Sequence, residues 1–234
     1  MEPTFVTPGV SAQPRAFGAL VGDSLRRPGG RRALSVLFVI LMVSGLAMFA
    51  YPVATDAYSR YRQSKLNAQF GGSRLEKSYE DGKFAEGAVL TRLLIPKLHL
   101  NVLVVEGTSA DALRAGAGHY VGTPLPGEEG NVAIAGHRTT FGRPFNHLDE
   151  MKLGDEVILE TPFKLFHYRV LPGFDGHPNP WPIKPTNTSV LADTPGQYLL
   201  TLTTCHPKGS ARERLILRLQ LVPSETEDVK QKGA

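Results

Sequence analysis

Cys205 is the only cysteine among 234 residues, and it closes an alternating apolar run, Tyr-Leu-Leu-Thr-Leu-Thr-Thr-Cys (198–205), whose partner run opens at Arg214. A thiol held beside a cation is a ready nucleophile, because positive charge favours the thiolate over a thiol of reference pKa about 8.5. A free cysteine is otherwise a small buried hydrophobe. The alternation of side chains along a strand separates the two readings. In 198–205, Leu200 and Leu202 share one face, while Cys205 lies with Thr203, Thr201 and Leu199 on the other. In 214–222, Leu215, Leu217, Leu219 and Leu221 form an apolar face that excludes Arg214. The loop 206–213 joins the two runs, so an antiparallel hairpin brings Arg214 opposite or diagonal to the thiol.

Acyl transfer to an amine also needs a group that moves protons. His137 ends Asn-Val-Ala-Ile-Ala-Gly-His (131–137) and shares a face with Asn131, Ala133 and Ala135, two of them small enough to leave room for a groove. Cys205, His137 and Arg214 at three strand ends would supply nucleophile, general acid/base and oxyanion stabiliser. His206 neighbours the cysteine, but successive residues of an extended strand face opposite ways, which ranks it behind His137. His119, in Gly-Ala-Gly-His-Tyr, is expected in a loop, where hydrogen bonding and catalysis are both open to it.

The elements that must position these residues follow from hydrophobic periodicity. Strand-like runs at 89–95, 100–106, 131–137, 156–161, 166–171, 198–205 and 214–222 alternate with turn signals. Short helices are expected near 109–115 and 145–151. Their number and spacing predict a mostly β domain: a closed or nearly closed barrel with a few short helices in its crossovers. The proline-rich segment 173–188 reads as a long ordered loop or a lid, with Trp181 as its anchor.

Upstream, residues 33–54 run without a charge, and at about 1.5 Å per residue such a helix spans roughly 33 Å, enough to cross a bilayer. This is longer than the apolar region of a cleaved leader, about 7–15 residues. Arg26, Arg27, Arg31 and Arg32 crowd its start, so the positive-inside rule places the N-terminus in the cytoplasm and the domain outside. Five arginines against Glu2 and Asp23 give residues 1–54 a charge of +3 out of the total +4. The pI of about 9.2 therefore reports membrane orientation, and a nucleic-acid partner is excluded. The chain divides into a disordered tail (1–32), an anchor (33–54), a stalk and linker (55–88), a catalytic domain (89–222) and a C-terminal tail (223–234). No zinc-type spacing occurs, Glu128-Glu129 is an isolated pair in a turn, and Gly116-Ala-Gly118 misses the dinucleotide fingerprint, so neither metal nor cofactor is expected.

Thr-Leu-Thr-Thr-Cys followed by Arg214, with Ala-Gly-His-Arg-Thr-Thr-Phe-Gly upstream and an N-terminal anchor, closely resembles the sortase family of cysteine transpeptidases. The resemblance covers about 89–222. Within it, Gly-His-Tyr-x-Gly-Thr (118–123), Gly-Asn-Val-Ala-Ile-Ala-Gly-His-Arg (130–138) and Thr-Thr-Cys-His-Pro (203–207) look most like class E. It implies a sortase-like closed β-barrel behind one transmembrane helix, and a plasma-membrane enzyme with its catalytic domain outside. The substrates it implies are secreted proteins ending in a sorting signal of the Leu-Ala-x-Thr-Gly or Leu-Pro-x-Thr-Gly kind, cut between threonine and glycine. The acceptor it implies is the amine of a peptidoglycan precursor such as lipid II. Cys205, His137 and Arg214 match the family's catalytic residues, and Tyr120, Arg138, Phe141, Thr203 and Thr204 fall where substrate contacts are expected. Class E sequences often carry tyrosine at the position of Phe141. Other readings are a pilin-polymerising sortase, a hydrolytic cysteine protease and a non-catalytic peptide-binding barrel. The Asp-Pro-aromatic lid motif of pilin-type enzymes is missing upstream of His137.

Overall fold

The computed structural model describes residues 28–174 and 176–229. The chain forms two compact units, residues 1–50 and residues 51–234. Most of the tail expected at 1–32 lies outside the described residues, and the chain is already helical from Pro28. Helix α1 (Pro28–Asn67) runs 40 residues, far beyond the 22 uncharged positions. Among the described residues it is the one helix long and apolar enough to cross a membrane. In the first unit its apolar side chains, Phe38, Leu41 and Met48 among them, are exposed.

The second unit begins with the last turns of α1 and helix α2 (Ser73–Asp81). Leu66 and Leu75 are buried in a cluster with Val89, Leu103 and Val105, so the packed unit extends back before Val89. Strands β1 (Val89–Ile95) and β2 (Leu100–Glu106) coincide with the expected runs. Helix α3 (Ala110–Ala115) follows, with the Ser109 hydroxyl accepting from the Ala112 amide as its N-cap. Then come β3 (Ala117–His119), β4 (Gly130–Gly136), β5 (Glu156–Glu160) and β6 (Lys164–Val170). The chain continues through β7 (Gly173–Phe174), β8 (His177–Pro178) and β9 (Trp181–Ile183) to β10 (Tyr198–His206), β11 (Glu213–Leu221) and β12 (Glu227–Asp228).

The sheet order is β12-β6-β5-β1-β2-β3-β4-β10-β11-β9, and β6 also pairs with β11. That extra pairing closes eight strands, β6-β5-β1-β2-β3-β4-β10-β11, into a barrel and leaves no free edge in the ring. The inward parity is apolar throughout: Leu93, Val104, Ile134, Leu159, Leu202, Leu217 and Leu219 meet in one core. Outside the closure, Arg169 bridges Glu156 (3.3 Å) and Glu225 (2.8 Å), and His167 Nδ1 lies 2.9 Å from Glu156.

Two expectations give way to local geometry. His119 was expected in a loop but ends β3, a three-residue strand wedged between β2 (parallel) and β4 (antiparallel). Backbone pairing, which leaves no periodic side-chain signature over Ala-Gly-His, creates that strand. The helix expected at 145–151 is only a 3-10 turn at Leu148–Glu150. Phe145, Leu148 and Met151 are all buried and recur every third residue, the period of that tighter helix. The described residues of the segment 173–188 include β7, β8 and β9: Trp181 is buried and stacks near Phe174, and Asn179 donates to the carbonyls of Leu171 and Arg218.

Leu217 sits in the barrel core with no exposed surface, whereas Leu153 is 66 % exposed. Leu217→Ala is expected to destabilise the domain by about 2–5 kcal/mol through lost burial and the cavity left behind, and Leu153→Ala by less than about 0.5 kcal/mol. Denaturant unfolding followed by the fluorescence of the single tryptophan, Trp181, measures both.

Candidate active site

The site is built by three neighbouring strands whose register is fixed. β10 and β11 pair antiparallel, with Thr201 opposite Arg218, Thr203 opposite Ile216 and Cys205 directly opposite Arg214. β4 lies parallel on the other side of β10, with Thr201 beside Ala133 and Thr203 beside Ala135. Two residues further, at the same parity, the chains present Cys205 and His137. Burial of Val132 and Ile134 on β4 and of the leucines on β10 and β11 inside the barrel dictates this outcome, because it sends the alternate residues of all three strands to the outer face.

That face is layered. Deep along it, the Thr201 hydroxyl donates to Asn131 Oδ1 (2.6 Å), Asn131 donates to the carbonyl of Val190 (2.9 Å), and Arg218 donates to the same carbonyl (2.9 Å). These polar groups are buried, and pairing them offsets their desolvation. One level up, the Tyr120 hydroxyl reaches Thr203 Oγ1 at 3.0 Å. Ala133 and Ala135 lie between them on β4 and offer no bulk to stop it. At the top, Cys205, His137 and Arg214 line a cleft of about 340 Å³ together with Thr108, Leu113, Tyr120, Thr203 and Thr204.

Each of the three has a distinct setting. Cys205 is half-buried and free. Arg214 uses Nη1 to donate to the carbonyls of Ala211 and Glu213, both at 3.1 Å, and it lines the cleft with no carboxylate partner among the described residues. The His137 ring makes no hydrogen bond among the described residues; it packs 5.2 Å from the Phe141 ring. Burial, and secondarily the positive charge of Arg114, hold its pKa below the ordinary value of 6.5. Near neutral pH His137 is therefore mainly uncharged and able to accept a proton.

The remaining expected residues divide between the cleft and its supports. Tyr120, Thr203 and Thr204 line the cleft, and the Thr204 hydroxyl also donates to the carbonyl of Gly136 (2.8 Å), pinning β10 to β4 just before His137. Phe141 lies against His137 and outside the cleft lining. Arg138, expected to meet substrate, is instead buried, with 3 % exposure. Its guanidinium donates to the Cys205 carbonyl (3.3 Å) and to His206 Nδ1 (3.0 Å), and pairs with Asp149 (2.9 Å). It ties the strand end that carries the thiol to the 3-10 turn, a reach that a planar fork supplies and a sequence pattern does not disclose. His206 is thereby occupied as an acceptor. His119 is buried too, with Nδ1 2.8 Å from Glu106 and Nε2 near the Pro124 carbonyl and the Thr123 hydroxyl, so its role is hydrogen bonding. Thr108 and Leu113 were not anticipated, since only the packing of α3 against β3 brings them to the cleft.

A closed eight-stranded barrel with cysteine and arginine facing each other in one hairpin, and histidine ending the parallel neighbour, is the arrangement of a sortase. The sortase-domain family model matches residues 93–222, and the chain belongs to the sortase family of cysteine transpeptidases. Sortase SrtE1 of Streptomyces coelicolor is 31 % identical over 217 residues, 82 % of this chain and 58 % of that protein. Sortase SrtE2 of the same organism is 29 % identical over 88 % of this chain and 90 % of its own length. The solved sortase E from Streptomyces avermitilis superimposes with a TM-score of 0.56 at 33 % identity, covering 64 % of this chain and 97 % of that one. The class E likeness of the three motifs agrees with these relatives.

A histidine whose folded-state pKa lies below its unfolded value binds protons more tightly once unfolded, so stability falls as pH drops through about 6.5 toward the folded value. Histidine NMR of the protein is expected to give His137 a midpoint below 6.5, and Arg114→Gln to raise it. A midpoint at or above 6.5 would contradict the burial described here.

Proposed function

We propose that the protein is a membrane-anchored transpeptidase of the class E kind, with Cys205 as nucleophile, His137 as proton carrier and Arg214 as the oxyanion and substrate clamp. The observation that carries this reading is the direct opposition of Cys205 and Arg214, with His137 in the same cleft. An extended sorting signal lies in the cleft over Tyr120, Thr203 and Thr204. The Cys205 sulfur, its proton passed to His137, attacks the carbonyl of the signal's threonine. Arg214 donates to the oxygen as it gains charge. The carbon–nitrogen bond to glycine then breaks, His137 returns the proton to the leaving amine, and a thioester remains.

In the second half, His137 takes a proton from the incoming amine as that amine attacks the thioester, and the Cys205 thiolate departs. The new amide joins the secreted protein to a peptidoglycan precursor such as lipid II. Residues 33–54 serve as the anchor, the basic residues before them keep the tail (1–32) in the cytoplasm, and residues 89–222 form the catalytic domain outside. The unbroken apolar run and the arginines at its start support that orientation.

Incubation with a Leu-Ala-x-Thr-Gly peptide and an excess of amine is expected to yield the transpeptidation product, and Cys205→Ala to yield none. Arg214→Ala should lower kcat by about 10²–10³, the usual cost of removing an oxyanion donor. Hydrolysis with no amine-dependent product would favour a protease. Failure with every sorting peptide, under conditions where the thiol is reduced, would overturn the assignment.

A further inference from the structure

Among the described residues the His137 ring has no hydrogen-bonding orienter, yet a proton carrier works only in a defined pose. Its ring packs against Phe141, which opens an unusual corner: Phe141, Gly142 and Arg143 all have positive φ, at 51°, 77° and 48°. Two of the three are not glycine, and such a backbone persists only when its surroundings over-determine it. The surroundings come from the last turns of α1. Asp56 Oδ1 accepts from the Gly142 amide (3.0 Å), and Oδ2 accepts from Arg143 Nη2 (2.9 Å). The carboxylate thus holds the corner by both its backbone and a side chain. Tyr58 meets the Phe141 ring edge-on at 6.5 Å. A Cβ added to Gly142 would come within 2.9 Å of Ser59 Oγ, so the corner lies flush against the helix.

The helix is itself fixed. Gln63 donates to the carbonyls of Leu103 (3.1 Å) and Ala115 (2.7 Å) and accepts from the Leu103 amide (2.8 Å), and Leu66 is buried beyond it. The corner returns to β4 through the Phe145 amide, which donates to the His137 carbonyl (3.1 Å). We propose that Asp56 is a positioning residue for acyl transfer: its carboxylate holds the 141–143 corner in its left-handed form and thereby sets Phe141 against His137. This rests on the reading of His137 as proton carrier. It makes residues 51–67 part of the catalytic machinery in place of a passive stalk.

The test uses the full-length chain in detergent, with Asp56→Ala, Asp56→Asn and Arg143→Ala, and Lys77→Ala as a remote surface comparison. Released from the corner, Phe141 no longer covers His137, so Asp56→Ala is expected to raise the His137 NMR midpoint toward 6.5. It should also lower kcat by about ten- to a hundredfold while KM stays within about twofold. Asp56→Asn keeps an acceptor for the Gly142 amide and should recover much of the loss. Arg143→Ala should move both readouts in the same direction by less, and Lys77→Ala should move neither. A folded Asp56→Ala protein with the wild-type midpoint and kcat would overturn the proposal. If Asp56→Ala does not fold, wild-type values for Arg143→Ala overturn it equally. Should the wild-type protein process no sorting peptide, the functional assignment falls, and the His137 midpoint alone still decides whether Asp56 governs the ring.

Discussion

The site depends above all on strand register. Cys205 faces Arg214 because β10 and β11 pair in one register, and that register is fixed by leucines on the opposite side of both strands. A slip of one residue would bury the thiol and turn Leu202 and Leu217 to water, which the lost hydrophobic burial forbids. The parallel pairing of β4 with β10 extends the same lock to His137. Barrel closure through β6 and β11 makes the lock cooperative, since no strand of the ring can shift without breaking a neighbour's ladder.

Around this frame, small and polar residues perform separate tasks. Ala133 and Ala135 leave the space over which Tyr120 reaches Thr203. Gly136 has no room for a side chain, since a Cβ there would lie 2.6 Å from the Phe145 ring, and Phe145 in turn holds the His137 carbonyl. Arg138 secures the thiol's strand end from beneath. Beyond the cleft, the Val190 carbonyl and Asn179 cover the buried Asn131, Thr201 and Arg218 layer. The His137 ring packs against Phe141, whose corner is in turn bonded to Asp56 of α1.

Much of this was legible in the sequence where side-chain periodicity carries the information. β1 and β2 match their expected limits, and the parity of 198–205 and 214–222 placed Cys205 and Arg214 on one face before any coordinates. Trp181 anchors its loop as the surrounding prolines suggested. What escaped depends on backbone pairing or long reach. β3 has three residues and no pattern, β9 is a proline-interrupted edge strand, and Arg138 is an exposed-looking residue that is itself buried, with partners at 149 and 205–206. The contribution of 51–67 was hidden because a polar, partly helical segment after an apolar helix reads as a stalk; only tertiary contacts show Asp56 and Gln63 holding the domain.

The central claim is that one thiol carries the acyl group and that the cleft around it presents the peptide. Intact-protein mass spectrometry of the full-length chain, quenched with acid during turnover of a Leu-Ala-x-Thr-Gly peptide, tests it directly. The account predicts an adduct of the peptide's mass through threonine, mapped to Cys205, discharged by added amine and absent in Cys205→Ala. An adduct on another residue, or product formation that persists in Cys205→Ala, would contradict it.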